Sequence, residues 1–429
     1  MKRLAIYAWL PFFLFLFLFT SVATLFGETA MFEEPDLDRW FHQGQVSPGR
    51  KSDPSLFTAF GGPGTDYQAI GPSRSGSMLV GFDTSSKIPQ VLPGQYKLTS
   101  IQISATITPD FSIVYDPTPD TVTDMIKQSD DIGRPIELFG VGFKNDYEQL
   151  GFGQNDGQIP AFEESTALFA MGNIPQERTT NIFPLGDDGQ GTGTLGNVFN
   201  SPTGVGAYTY NGTTEEWELQ SIIRPAWDPE PLAIGTVLGL NPGDNVPANS
   251  VFHFDVNLSQ SEVLRHFQNQ LSLGQLGVFL TSMHDVSGFH AGGGFNPFPK
   301  FYAKEHPFVS SGIVSAAKLD IEYKIVHPGD ADHDCDVDIT DFNTLASNFS
   351  PSGAGSVVPW FHGNFDGDDD IDITDFDLLA SNFAATGYGM EQHLSVPEPF
   401  SVGYTFVALL IGWLVFQRPL QQINQSANS

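Results

Sequence analysis

The middle of the chain alternates between apolar and polar residues in several segments, and this pattern predicts β-strands. Residues 101–107, 252–258 and 316–326 each carry an apolar residue at every second position. A period of two is typical of a strand that is buried on one face and solvated on the other. Short apolar segments predict further strands at residues 78–82, 136–143, 234–240 and 276–283. The pattern therefore predicts a mainly β domain built as a sandwich.

One helix is predicted inside this β-rich region. Ser259 is a candidate N-cap, with Glu262 three residues later, which is the spacing of a capping box. The apolar stripe of this helix comprises Val263, Leu264, Phe267 and Leu271. We therefore predict a single amphipathic helix between two strands.

A different pattern, an acidic repeat, follows the β-rich region. Residues 329–349 and 363–383 are identical at 14 of 21 positions, at an offset of 34. Each copy has a loop of alternating acids and then apolar residues at helical spacing. The two stripes are Phe342, Leu345, Ala346 and Phe349 in the first copy, and Phe376, Leu379, Ala380 and Phe383 in the second. Because such short helices are not stable alone, we expect the stripes to pack against each other.

The alternating acids of each loop match the ligand spacing of a calcium site. Calcium takes six to eight oxygen ligands, supplied at loop positions 1, 3, 5, 7, 9 and 12. These positions are Asp330, Asp332, Asp334, Asp336, Asp338 and Asp341 in the first loop, and Asn364, Asp366, Asp368, Asp370, Asp372 and Asp375 in the second. Position 7 binds through its backbone carbonyl, so the side chains of Asp336 and Asp370 are not expected to be direct ligands. We predict two calcium ions, with folding coupled to their binding.

The turn at loop position 6 is unusual in both copies. This position normally takes Gly, but here it is Cys335 in the first loop and Asp369 in the second. Asp tolerates a positive φ better than Cys does. We therefore expect strain in both loops and weaker affinity in the first. The chain has a single Cys, which excludes an internal disulfide.

Residues 327–388 resemble a type I dockerin, since both loops end in Asp and neither has a leading helix. The resemblance implies a two-calcium module that docks onto a cohesin-type partner protein. It also implies that loop positions 10 and 11 contact the partner. These positions are Ile339 and Thr340 in the first loop, and Ile373 and Thr374 in the second. The same pair occurring twice suits binding in two orientations, whereas a calcium-rigidified stalk without a partner is the alternative.

The charge of the chain concentrates in the acidic repeat. The 429 residues include 19 Lys and Arg against 50 Asp and Glu, a formal net charge of −31. A nucleic-acid-binding protein needs a basic surface to neutralise phosphates, so that class is excluded. Thirteen Asp residues and no Lys or Arg lie within residues 329–387. The remaining acids are typical of the surface of an exported protein.

Both ends of the chain have the pattern of targeting segments. Residues 1–30 combine a basic start, an apolar stretch and small residues, which predicts a secretory signal peptide. A retained membrane anchor is the alternative. At the other end, a linker at residues 389–399 contains Val396-Pro397-Glu398-Pro399. An apolar segment at 400–418 then ends in one Arg, and a polar tail occupies 419–429.

This C-terminal arrangement resembles the PEP-CTERM sorting signal of bacterial surface proteins. The resemblance implies a transmembrane helix at 400–418 and therefore an exported protein in the cell envelope or outside the cell. Two features depart from the family pattern. A single Arg418 replaces the usual basic cluster, and the polar tail follows it. Whether the span is removed after export stays open.

Parts of residues 31–326 resemble DNRLRE-type secreted β-sandwich modules. The similar stretches are residues 79–83, 100–108, 251–281 and 318–326. The resemblance implies a jelly-roll-like fold and contact with glycan. In that arrangement residues 110–235 are a long insertion, and whether 31–326 forms one domain or two stays open.

Candidate catalytic groups are few. Glu215, Glu216 and Glu218 flank Trp217, and His284-Asp285 precedes His290, but an acidic strand edge and a loop explain these better. We therefore predict an exported cell-surface protein without catalysis of its own, attached through calcium to a cohesin-type partner. One alternative is a polysaccharide hydrolase or lyase that carries a dockerin. Another is a surface-layer component with a calcium-rigidified stalk.

Overall fold

The computed structural model of the chain describes fourteen segments. They are residues 27–42, 51–58, 74, 76–110, 112–120, 133–153, 161–166, 181–187, 194–198, 206–211, 216–222, 229–284, 297–353 and 358–387, with backbone only for 206–211 and 216–222. These residues divide into two compact units, Gly27–Ile325 and a segment that begins at Val326. Each unit is described by itself.

The unit Gly27–Ile325 is mainly β, as predicted. Its strands are β1 (Glu28–Phe32), β2 (Leu37–His42), β3 (Gly76–Asp83), β4 (Tyr96–Thr106), β5 (Ile136–Phe143), β6 (Gln149–Leu150), β7 (Ala161–Phe162), β8 (Ile182–Asp187), β9 (Leu195–Asn197), β10 (Gly206–Asn211), β11 (Glu216–Ile222), β12 (Ala233–Ile234), β13 (Val251–Asp255), β14 (Gln275–Ser282) and β15 (Lys318–Ile325). Its helices are α1 (Ser261–Ser272), α2 (Pro307–Ser310) and a 3-10 turn at Pro93–Gln95.

Two antiparallel sheets form the body of this unit. The first has the strand order β1-β15-β4-β13. The second has the order β2-β3-β14-β5-β8-β9, and β12 also pairs with β5. Two small pairs, β10 with β11 and β6 with β7, complete the strands.

A single hydrophobic core draws side chains from both large sheets, which makes the unit a sandwich. The first sheet contributes Ile101, Ile103, Phe252, Phe254, Leu319 and Ile321, and the second contributes Met78, Val80, Phe82, Leu138, Val278 and Leu280. Alternation therefore identified the buried face of β4, β13 and β15 correctly, because one face of each meets the opposite sheet.

A second apolar cluster covers the other face of the larger sheet. It comprises Leu37, Phe41, Leu79, Phe139, Val141, Leu150, Phe162, Ile182, Val198 and Phe279. The strand β5 pairs with both β14 and β8, so it is an interior strand of the sheet. Residues 110–235, which form a long insertion in the arrangement implied by the resemblance, therefore contribute a central strand to this sheet.

Three predicted boundaries also need correction. The helix α1 begins at Ser261 with Gln260 as N-cap, whereas the Ser259 hydroxyl donates to Asn257 Oδ1 at 2.6 Å. The strand predicted at 234–240 ends at Ile234, because the chain leaves the larger sheet there and Thr236 bridges His253 of β13 in the other sheet. The strand β1 begins at Glu28, so the expected end of the signal peptide at residue 30 falls inside a strand.

The second unit is small and helical. It contains α3 (Ile339–Asn348), α4 (Ile373–Ser381) and a 3-10 turn at Trp360–His362. Within the described ranges no helix has the length and apolarity needed to cross a bilayer. The apolar segment at 400–418, the linker and the tail around it, and residues 1–26 of the expected signal peptide lie outside those ranges.

Candidate metal centre

Each acidic loop ends by capping the helix that follows it. Asp338 is the N-cap of α3, and its carboxylate accepts from Thr340 N at 2.6 Å. Asp372 caps α4 in the same way, accepting from Thr374 N at 2.6 Å. Both caps have a φ of −130°. The two copies therefore have the same local geometry, with acidic side chains at the positive end of each helix dipole.

The last carboxylate of each loop is buried and holds the loop closed. Asp341 accepts from Ala331 N at 2.7 Å and from Asp338 N at 2.8 Å. Asp375 accepts from Phe365 N at 2.6 Å and from Asp372 N at 2.9 Å. Both side chains are almost completely inaccessible to solvent. Position 12 therefore ties the start of each loop to its helix.

The first position of each loop is buried as well. Asp330 accepts from Asp334 N at 3.2 Å and from Cys335 N at 3.0 Å. Asn364 occupies the equivalent place in the second loop and accepts from Gly367 N at 2.7 Å. Backbone N–H groups thus point inward at the oxygen atoms of both loops, around the place where a cation would lie.

Several acidic groups in these loops have the spacing needed to hold a metal ion. Within each group, one carboxylate oxygen per residue lies within 4.8 Å of the others. The groups are Asp330, Asp332 and Asp334; Asp336, Asp338 and Asp341; and Asp370, Asp372 and Asp375. All twelve predicted ligand positions are among the described residues, and nine of them belong to these three groups.

Burial and mutual repulsion disfavour the ionised form of these carboxylates. Burial raises the pKa of Asp341 and of Asp366, against the lowering effect of the N–H groups that donate to them. Burial, followed by the neighbouring aspartates, also raises the pKa of Asp336 and Asp370. A cation would reverse this balance, since an opposite charge nearby favours the ionised form.

Position 7 differs from the expectation. The side chains of Asp336 and Asp370 were not expected to be direct ligands, but each lies in an acidic group with positions 9 and 12. One oxygen of each, Oδ1, is buried and has no hydrogen-bond partner. A buried carboxylate oxygen without a donor is costly unless a cation approaches it. The donor set therefore fits a cation.

The backbone at position 6 distinguishes the two loops. Cys335 adopts a φ of +78°, and His333 two residues earlier has a φ of +59°. In the second loop Gly367 is the counterpart of His333, with a φ of +80°, whereas Asp369, the counterpart of Cys335, is not in that region. The strain expected at position 6 is therefore present in the first loop only, and at position 4 the second loop has a Gly where the first has His333.

The two copies pack against each other reciprocally. Val337 bridges Ala384, and Ser350 bridges Ile371, which are the same pair of repeat positions exchanged. A Cβ on Gly329 would lie 2.9 Å from Leu379 Cα, and one on Gly363 would lie 2.8 Å from Leu345 Cα. Since each of these contacts recurs at the offset of 34, the module has an internal approximate two-fold symmetry.

The helical stripes are buried only in part. Leu345 and Leu379 are buried, and the rings of Phe342 and Phe376 meet edge to face at 6.1 Å. The other stripe positions are exposed; they are Ala346, Phe349, Ala380 and Phe383. The prediction of stripe-to-stripe packing is therefore right for the first half of each helix and wrong for the second. The reason is that Val337, Phe365 and Ile371 of the loops fill much of the core.

The four residues expected to contact a partner lie on the surface. Ile339 is 60% exposed and Ile373 is 61% exposed, which is unusual for isoleucine. Thr340 and Thr374 beside them are exposed too. These residues begin α3 and α4, next to the caps.

The other candidate groups are not assembled in the described residues. His284 is buried and its Nδ1 lies 2.6 Å from Ser282 Oγ, while Asp285 and His290 are outside the described ranges.

Asp38, Glu164 and Glu305 of the sandwich form an additional acidic group. Sequence reasoning missed it, because its members are more than a hundred residues apart and no local motif marks them.

Comparison with known proteins adds no identity to this geometry. Neither protein-family models, nor curated proteins, nor solved structures give a match to the chain.

Proposed function

We propose that the chain is an exported cell-surface protein whose residues 327–388 form a dockerin-like module. In this proposal the module binds two calcium ions and attaches the protein to a cohesin-type partner. The observation that carries it is the pair of closed acidic loops, with the same cap geometry and reciprocal packing at an offset of 34. A solvated acidic tail would not form the same buried contacts in both copies of the repeat.

Calcium is the cation that this donor set favours. Every predicted ligand is a carboxylate or amide oxygen, and hard cations select oxygen, whereas zinc and copper select nitrogen and sulfur. Calcium also tolerates irregular shells of six to eight ligands, whereas magnesium requires a near-octahedral shell. Loops that supply several carboxylates over twelve residues suit the larger ion.

The exposed isoleucines support a docking surface on the module. Ile339 with Thr340 and Ile373 with Thr374 are equivalent under the two-fold symmetry. A partner that recognises one pair would find the other pair after a half-turn of the module. We therefore infer that the cohesin-type partner binds in either of two orientations.

For the sandwich we propose a jelly-roll class and a role in glycan binding. The strand orders β1-β15-β4-β13 and β3-β14-β5-β8 support this class, because most neighbouring strands in each sheet are distant in sequence, as the Greek-key connections of a jelly roll require. Jelly rolls serve as lectin domains among other roles. The test is retention on a glycan array: binding without product release supports the role, whereas release of shortened glycan would indicate an enzyme.

The placement at the cell surface rests on the terminal segments. We propose that residues 1–30 direct export and that 400–418 anchors the chain, at least transiently, in the membrane. Fractionation of the producing cells tests this placement. Recovery of the protein from the cytoplasm with both segments intact would contradict it.

Partner binding is tested with the full chain and an immobilised cohesin domain from the same cell. We expect retention in calcium and release by a chelator. Ile339→Asp and Ile373→Asp should each retain binding through the remaining pair, whereas the double variant should lose it. Phe361→Asp, which also replaces an exposed apolar residue of the module, is the matched control and should bind. Absence of calcium-dependent retention on every such cohesin would favour the stalk.

A further inference from the structure

We infer that the sandwich holds a third cation site, formed by Asp38, Glu164 and Glu305, which takes a divalent cation such as calcium. One carboxylate oxygen from each residue lies within 4.8 Å of the other two. All three belong to the unit Gly27–Ile325. The site is therefore separate from the acidic loops, and the inference does not depend on the proposed function of the module.

Asp38 is the buried centre of this site. Its side chain is 2% exposed, although it lies on β2 near the edge of the larger sheet. Its Oδ2 accepts from Lys304 N at 2.7 Å, whereas its Oδ1 is buried and has no hydrogen-bond partner. A buried carboxylate oxygen without a donor is costly. Glu164 repeats the feature, since its Oε1 is also buried and without a partner.

The two other carboxylates are held in place by turns. Thr166 N donates to Glu163 O at 3.0 Å, which closes a turn around Glu164. Arg39 Nη1 donates to the same carbonyl at 3.1 Å and to Thr166 O at 2.7 Å. Glu305 lies in a second turn, closed by His306 N donating to Ala303 O at 3.0 Å. The three carboxylates therefore converge from a strand and two fixed turns.

The charge at this site favours a divalent cation. The three carboxylates carry a charge of −3 when ionised. Lys304 supplies one positive charge, because its Nζ lies 3.1 Å from Glu164 Oε2. The same ammonium group also donates to the carbonyl of Asp36. Arg39 follows Asp38 on β2, and its Nη1 donates to the two carbonyls of the turn that carries Glu164. Lys304 therefore offsets one of the three negative charges directly, and a divalent cation would offset the others.

A comparison within the same sandwich shows how a buried carboxylate is otherwise compensated. Glu137 is fully buried and receives two bonds from Arg74, at 2.6 and 2.7 Å. Asp38 is equally buried but has two acidic neighbours and one backbone donor. Burial raises the pKa of Asp38 to about 8, with the Glu305 carboxylate adding to the shift. Asp38 Oδ1 therefore has no counterpart of the Arg74 guanidinium, and a cation would supply that positive charge.

The spacing fits cation binding better than hydrolysis of a glycosidic bond. A pair of hydrolytic carboxyl groups is separated by about 5 to 9.5 Å, with the substrate between them. Here the oxygens lie within 4.8 Å of one another, and Asp38 is closed off from solvent. A cation with oxygen ligands accommodates this closer arrangement.

The test counts calcium ions bound to the full chain by equilibrium dialysis, with the variant Asp341→Ala/Asp375→Ala as the starting protein. That background removes the ions of the acidic loops, so the sandwich site is measured alone. We expect this background variant to bind one calcium ion per chain. Adding Glu305→Gln should abolish the binding, whereas adding Glu322→Gln should leave it unchanged. Glu322 is an exposed carboxylate on β15 and is the matched control.

Glu305 is exposed, so its substitution should leave the sandwich folded. Circular dichroism of both variants checks this. Asp38→Asn gives a second comparison, and we expect at least a tenfold loss of calcium affinity from it. The inference would be overturned if Glu305→Gln left the calcium count unchanged, or if the background variant bound no calcium. Either result would indicate that the carboxylates of the site share a proton instead. If the acidic loops of the wild-type chain bound no calcium, that result would contradict the proposed function but not this inference.

Discussion

In the sandwich, the fully buried Glu137 is compensated inside the protein, because Arg74 contacts both of its oxygens at 2.6 and 2.7 Å. In the acidic module, Asp341 and Asp375 are just as buried, but the residues around them include no Lys or Arg. Backbone N–H groups are their only protein donors among the described contacts. The comparison teaches that Glu137 has a cationic partner within the fold, whereas Asp341 and Asp375 have only backbone donors, which supports the proposal of a cation at the acidic loops.

The largest expected effect comes from breaking the internal compensation of the sandwich. Glu137→Gln leaves the Arg74 guanidinium buried without its anionic partner. Removing one partner of a buried pair costs about 3–5 kcal/mol, so the free energy of unfolding of the sandwich should fall by about that amount. Chemical denaturation measures it. The loss should be the same in calcium and in chelator; a loss that calcium restores would contradict the comparison.

A slightly smaller effect is expected in the module from Asp375→Ala. This change removes a predicted ligand and the acceptor of three backbone N–H groups, from Phe365, Asp366 and Asp372. The bonds from Phe365 and Asp372 are the two shorter ones, at 2.6 and 2.9 Å. Hydrogen bonds to charged groups contribute about 1.5–3 kcal/mol each, so two of them at the lower value give an expected loss of about 3 kcal/mol at saturating calcium. Asp377→Ala, on the exposed side of α4, is the control. Equal losses in both variants would argue against a structural role for position 12.

Acid should weaken the sandwich through a buried histidine. Burial lowers the pKa of His284 to about 3, and the positive charge of Arg134 adds to the shift. The unfolded chain takes up this proton near pH 6.5. The stabilisation is therefore complete above pH 6.5 and is lost as the pH falls toward 3.

At pH 5 we expect this linkage to cost about 2 kcal/mol relative to neutral pH. His284→Gln should flatten the dependence of the free energy of unfolding on pH between 6.5 and 4. A His253→Gln variant, which changes a half-buried histidine of β13, is the control. If the slope of the free energy of unfolding against pH were unchanged in His284→Gln, His284 would not be the cause of the acid sensitivity.

The smallest effect distinguishes the two loops of the module. Cys335 is held at a φ of +78°, a conformation that costs a non-Gly residue about 1–2 kcal/mol. Cys335→Gly relieves this strain and loses some chain entropy, so we expect a net gain of about 0.5–1 kcal/mol and tighter calcium binding in the first loop. Thermal unfolding in calcium measures it. Asp369→Gly, at the same position of the second loop, should give no gain.

The sequence was informative wherever local chemistry determines local structure. The alternation of β4, β13 and β15 identified their buried faces, and the apolar spacing after each acidic loop predicted the helices α3 and α4. These features depend on neighbours only a few residues away. They could therefore be recognised without knowledge of the tertiary structure.

Features that depend on distant residues could not be predicted in this way. The role of β5 as an interior strand follows from its pairing with β14, which is more than a hundred residues away. The exposure of Phe349 and Phe383 follows from loop residues that fill the module core in their place. The acidic group of Asp38 has the same origin, since two distant turns bring its partners to β2.

The central claim is that bound cations stabilise the acidic module. It is tested in the chain with Glu305→Gln, whose sandwich lacks the proposed third site and should be unaffected by calcium. Hydrogen exchange of the backbone amides in the full chain, in calcium and in chelator, tests this most directly. At free calcium 100 times the dissociation constant, binding stabilises a site by about 2.7 kcal/mol, which slows exchange about 100-fold. We predict this slowing in residues 330–348 and 364–381, with no change in β4. Equal exchange of the module in calcium and in chelator would contradict the account.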